Sequence, residues 1–205
     1  MTSPIPLNLV VEDDLSEAVL RVILHQSRRP YVVGECYSRG GYTYIQNTIR
    51  GFNHAAKGVP FLVLTDLDRR ECAPALIREW LPVPKHPNLL FRVAVTEVEA
   101  WVLAHREAFA KFIGVEEHLI PGNVDSIADA KQFLVNLARK SPRREIVRDI
   151  VPPPGSTKQQ GSDYNPRLIS FVEKSWKMKT AKGASPSLKR TIELVEKFSP
   201  TWTAP

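Results

Sequence analysis

Cysteine is scarce: Cys36 and Cys72 are the only two in 205 residues. Two are too few for a disulfide framework and too isolated for a zinc site, so both are expected to be reduced, part-buried packing residues. Long apolar runs are missing too, and no stretch approaches the roughly 18 residues needed to cross a bilayer. No membrane association is expected. The opening MTSPIPLNLVVEDD carries no charged n-region, apolar h-region or cleavage site, which points to a cytoplasmic protein. Histidine is sparse, with five residues and no pair at metal-ligand spacing. Internal repeats and low-complexity segments are absent as well. What remains, 43% hydrophobic and 24% charged residues, is ordinary for a globular fold.

Charge is unevenly spread. Residues 139–190 hold 13 Lys/Arg against 4 Asp/Glu, while the rest of the chain has 15 against 18. A mildly acidic body with a basic C-terminal third suits a metal site beside a polyanion-binding surface, although a solvated basic face would look the same.

Four short apolar runs read as strands: residues 6–11, 30–33, 60–65 and 88–95. Between them, residues 15–26 and 44–56 show helical spacing, residues 74–80 allow a helical turn or two, and a helix beginning near Val98 is expected to run to Ile113. Strand and helix in alternation predict an α/β fold with a mostly parallel central sheet flanked by helices. Residues 1–125 are assigned to that core. Residues 126–205 are expected to form a basic, mainly helical extension packed on it, with helices at 129–140, 165–176 and 187–198 and a Pro/Gly/Ser loop at 151–160.

Three of the four strands end in carboxylates: Glu12-Asp13-Asp14, Asp66-Leu67-Asp68 and Glu97-Val98-Glu99. Ligands of parallel α/β sheets bind beyond the carboxyl ends of the strands. A hard cation takes oxygen ligands and keeps several waters, so a few such side chains suffice for Mg²⁺ or Mn²⁺. Asp66 and Asp68 would share one metal if the strand's two-residue period persists, Glu12 would ligate or act as general base, and Glu97 and Glu99 would complete the site. Each cluster by itself also fits a bland role, because carboxylates favour helix N-termini and loops. Their coincidence at one sheet edge carries the metal expectation, and phosphoryl chemistry is the natural use of such ions.

An acid after the first strand and Asp-x-Asp after a later one resemble the TOPRIM arrangement of topoisomerases, primases and OLD-type nucleases. A closer resemblance covers most of the chain: PFLVLTDLDRREC (60–72), LLFRVAVTEVEAWVLAH (89–105), DAKQFLVNLARKS (129–141), GSDYNPRLISFVEKSW (161–176) and SPSLKRTIELV (185–195) are similar to the DUF4276 family of bacterial TOPRIM-like proteins. That resemblance implies a metal-dependent nuclease subunit in anti-phage defence, working with an ABC/SMC-like ATPase, or a non-catalytic sensor of such an ATPase. It makes Glu12 the acid–base or metal-binding glutamate and Asp66 and Asp68 metal ligands. The chain departs from the family pattern at two places, Leu103-Ala-His105 for Leu-Ala-Asp and Asp129-Ala-Lys131 for Asp-Pro-Lys. His105 is therefore a candidate replacement ligand, and Lys131 a candidate for stabilising phosphate charge. A rival resemblance, to receiver domains with Asp66 as phosphoacceptor and Thr96 as switch hydroxyl, is weakened by the long gap from Asp13 to Asp66 and by the missing strand-end lysine.

Among the basic residues, Arg69 follows the Asp pair directly, with Arg70 beside it. Arg143, Arg144 and Arg148 are spaced to share one helical face and contact nucleic-acid phosphates. Tyr164-Asn165 stands where it could contact a ligand, but an N-cap role for Asn165 on the following helix is the stronger expectation. Trp101 and Trp176 read as core anchors. A homo-oligomer is compatible with all of this.

Overall fold

The computed structural model describes residues 3–38 and 40–202. Four strands, β1 (Ile5–Val10), β2 (Tyr31–Tyr37), β3 (Phe61–Asp66) and β4 (Leu89–Ala94), form one sheet in the order β2-β1-β3-β4, with every neighbouring pair parallel. The α/β expectation holds. β3 is central and buried on both faces, which is why Phe-Leu-Val-Leu-Thr shows no polar alternation. β2 is an edge strand and longer than its apolar run suggested. Its pairing with β1 shifts register between Leu7 and Leu9, where the Asn8 side chain accepts from the Glu35 N–H at 3.0 Å. A Cβ at Gly34 would stand 2.6 Å from Asn8 Oδ1, so a larger residue there would displace that side chain.

Helix α1 (Asp14–Gln26) returns the chain from β1 to β2, whereas α2 (Gly41–Ala55) and α3 (Ala73–Trp80) lead back past β1 to β3 and on to β4. Right-handed crossovers in opposite directions place their helices on opposite faces. Accordingly Leu15, Val19 and Ile23 of α1 pack with Leu7, Leu9, Leu62 and Leu64, while Ile45, Ile49 and Phe52 of α2 and Leu76 and Trp80 of α3 pack with Phe61, Val63 and Phe91. The direction reverses between β1 and β3, the topological switch point where open α/β sheets bind ligands.

After β4 come α4 (Val98–Leu103) and α5 (Arg106–Ile113), two helices where one was expected. The break falls at His105, whose Nδ1 accepts from the Lys177 N–H at 3.0 Å and so holds the chain to a distant segment. Every residue of α4 is buried, the mark of a helix enclosed on all sides. It packs against α1, β4, α5 and two later helices, α6 (Ala130–Ala138) and α9 (Met178–Ala181), and with α7 (Arg144–Ile150), α8 (Tyr164–Ser175) and α10 (Pro186–Lys197) these share one apolar cluster with β1. Among the described residues no fifth strand follows β4, and no helix is long and apolar enough to cross a membrane.

Candidate metal and phosphate site

The site forms where the chain leaves β1, β3 and β4. Glu12 lies just past β1 and its carboxylate turns toward β3: Oε1 accepts from the Thr65 hydroxyl and, at 2.9 Å, from the Asp66 N–H. Burial raises the Glu12 pKa above the usual glutamate value, partly offset by those two bonds, and the charges of Asp68 and Asp13 push it further. Asp66 ends β3 and its Oδ1 accepts from the Val98 N–H at 2.9 Å, so it anchors the start of α4. Its pKa stands well above the aspartate norm, first through burial and then through the negative charges of Glu12, Glu99, Asp13 and Asp68. Burial and four neighbouring carboxylates thus disfavour the ionised form of Asp66, a cost that a bound cation would relieve.

The strand geometry does not continue through Asp68. Leu67 still pairs with Ala94, at 2.9 Å, but Asp68 turns into the left-handed region at φ 51° while its N–H bonds Thr96 O at 2.9 Å. Thr96 is left-handed as well, at φ 60°. Aspartate tolerates that conformation, but for a β-branched threonine it is strained, and such strain gathers at functional sites. Asp66 and Asp68 nonetheless line one cleft of about 770 Å³ together with Tyr42, Arg69, Arg70, Trp80, Thr96, Glu97, Asp129 and Gln159.

A second set of contacts sits behind the cleft. Glu97 is the N-cap of α4 by backbone position, yet its Oε2 accepts from the Lys131 N–H at 2.7 Å and thereby caps α6. Glu99, 2% exposed, accepts from the Tyr164 hydroxyl at 3.1 Å and pairs with Lys131 Nζ at 3.5 Å. Burial lifts its pKa to about 7 although Lys131 pulls the other way. For Lys131 burial favours the neutral amine, but Glu99, Glu97 and Asp66 outweigh it, so the net shift is upward and the ammonium is retained. Lys131 is thus not a free surface lysine.

The donors are all hard oxygens, and Glu12, Asp66 and Asp68 suit Mg²⁺ or Mn²⁺ in type and in mutual repulsion. Among the described residues, however, no three acidic, His or Cys side chains converge as a ready metal cage. Several of the carboxylates are turned to backbone N–H groups instead, so the bland helix-capping role is realised alongside the clustering.

Other sequence-derived candidates lie elsewhere. His105 is 6% exposed and lines a different cleft, with Lys111, Arg143, Lys174 and Lys177. Burial lowers its pKa and favours a neutral imidazole. It packs the chain and does not replace a carboxylate ligand. The expected single face of Arg143, Arg144 and Arg148 is split, because Arg143 precedes α7 as its extended N-cap and donates to Phe112 O at 2.7 Å. Arg148 instead pairs with Asp149 at 2.7 Å and lines a groove of about 670 Å³ with Arg139 and Lys158. Gln159 borders both that groove and the acid cleft. Arg144 is exposed at the first position of α7. Arg69 is exposed on the rim of the acid cleft.

Asp13 caps α1, accepting from the Ser16 N–H at 2.8 Å. The α8 cap is Asp163, and Asn165 lies inside the helix. Thr65 and Asp13 are site residues that the sequence does not single out. Thr65 belonged to an apolar strand, and Tyr164 comes from a segment about 65 residues away in sequence. No family model, curated protein or solved structure matches the chain.

Proposed function

We propose that the chain is a divalent-metal-dependent phosphodiesterase acting on nucleic acid, a TOPRIM-like nuclease subunit. One observation carries the reading: Asp66 and Asp68 border a cleft rimmed by Arg69 and Arg70 at the switch point between β1 and β3, Glu12 accepts from the Asp66 N–H beside them, and the Asp66 pKa, raised first by burial, is pushed further by the charges of Glu12 and Asp68. Asp66 and Asp68, with Glu12, would hold Mg²⁺ or Mn²⁺, which when bound supplies a Lewis acid and a lowered water pKa for in-line displacement at phosphorus. Glu12 is suited to take the proton of the attacking water, because burial has already moved it toward neutrality. Arg69 is placed to bind a substrate phosphate oxygen. Lys131, held as an ammonium by Glu99, adds positive potential beneath the reacting phosphate. Glu97 and Glu99 act as supports, orienting α6 and Lys131.

Purified protein, with and without a partner ABC/SMC-like ATPase, is expected to cleave single- or double-stranded DNA or RNA only with Mg²⁺ or Mn²⁺. Asp66→Ala should cut the rate at least about a hundredfold, as loss of a central electrostatic group does. Metal-independent cleavage, or cleavage unchanged in Asp66→Ala, sinks the reading. A second reading, a non-catalytic sensor of the ATPase, is favoured by the absence of a ready metal cage among the described residues. It expects tight ATPase binding that survives loss of Glu12, Asp66 and Asp68 together.

A further inference from the structure

One part of the acid cleft is aromatic. Tyr42, at the start of α2, is 48% exposed, and its ring stacks on Trp80 with centroids 6.5 Å apart and planes 26° apart. Trp80 in turn stacks on Phe91 at 6.1 Å, and the Arg70 guanidinium lies 5.3 Å from the Trp80 ring centre. Glu79 holds Arg70 there through a 3.0 Å ion pair. The stack is therefore anchored in the core at Phe91 and ends at an exposed tyrosine beside Asp66 and Asp68.

We propose that this corner receives a nucleobase of a single-stranded polynucleotide. The base stacks on the exposed ring of Tyr42, which sets the adjoining phosphate at the carboxylates within reach of Arg69. A cleft of about 770 Å³ is of the size that holds a nucleotide-sized unit. Paired bases are stacked on each other and cannot offer a face to Tyr42, so an unpaired strand is the substrate class. The inference rests on the phosphodiesterase reading and adds the base to the phosphate.

The test is binding of a fluorescent dodecamer by anisotropy, with Ca²⁺ replacing Mg²⁺ to hold back cleavage. Three probes are compared: the single strand, the same strand with abasic sites throughout, and the duplex. The single strand should bind about tenfold or more tighter than the abasic strand, as expected for stacking on an aromatic ring. Tyr42→Ala should erase that preference. Equal binding of base-bearing and abasic strands, a preference for duplex, or a preference unchanged in Tyr42→Ala overturns this inference while leaving the phosphodiesterase reading standing. Failure to bind any of the three probes overturns both.

Discussion

Glu99 is sealed at 2% exposure, shares Lys131 and Tyr164, and still titrates near 7 because burial outweighs its cation. Unfolded, it ionises near the ordinary 4.5. Between those values the unfolded state holds fewer protons than the fold, so rising pH favours unfolding; above about 7 both states are ionised and the penalty is constant. His105 works in the opposite sense, since burial lowers its pKa and the fold gains as pH rises toward 6.5. Comparing the wild type with Glu99→Gln cancels that contribution. In EDTA, the wild type should lose melting temperature relative to Glu99→Gln between about pH 5 and about pH 7.5, at roughly 2–4 °C per kcal/mol for a chain of this size. Parallel curves for the two proteins would refute the assignment. The role of Glu99 was only half legible in the sequence. Its position after β4 was visible, but its burial against Tyr164 was not.

Helix starts carry much of the site, since Asp13 caps α1, Asp66 accepts from the first N–H of α4, and Glu97 accepts from the second N–H of α6. A side chain that both caps a helix and adds charge to the cleft has two opposed effects. Asp13→Ala loses the cap, costing about 1 kcal/mol and about 2–4 °C in thermal denaturation. Asp13→Asn keeps an accepting oxygen for the Ser16 N–H and removes a negative charge that raises the pKa of Asp66, Glu12 and Glu99. It should melt at or above the wild-type temperature. Equal losses in both variants would show that the charge of Asp13, and not its capping oxygen, stabilises the fold, and would overturn the assignment. The loop at 151–163 has its own fixed point: a Cβ at Gly161 would collide with the Asp149 carbonyl, while the Gly161 N–H bonds Ile150 O at 2.9 Å. Gln159 reaches the acid cleft from that tether.

Across the whole molecule, the C-terminal helices are inseparable from the sheet. Trp176 Nε1 donates to Trp101 O at 2.9 Å, and Trp101 Nε1 to Ser187 Oγ at 2.7 Å. Gln26 of α1 bonds both Trp176 O and the Met178 N–H, each at 2.9 Å. Tyr31 of β2 donates to Val195 O at 2.6 Å. A chain ended after residue 125 would leave α1 and α4 with their apolar faces in water. Such a chain should show no cooperative melting transition by circular dichroism, whereas the full chain should melt in one step; a cooperative transition in the shortened chain would contradict the shared core. What the sequence determined by itself is local: apolar runs of strand length, helical spacing, and acids at three strand ends, because period and polarity are properties of neighbours along the chain. Tertiary structure alone decided the sheet order, the reversal between β1 and β3, the displacement of His105 into another cleft, and the pairing of Lys131 with Glu99. Those depend on which faces are buried together, and burial is set by segments far apart in the chain.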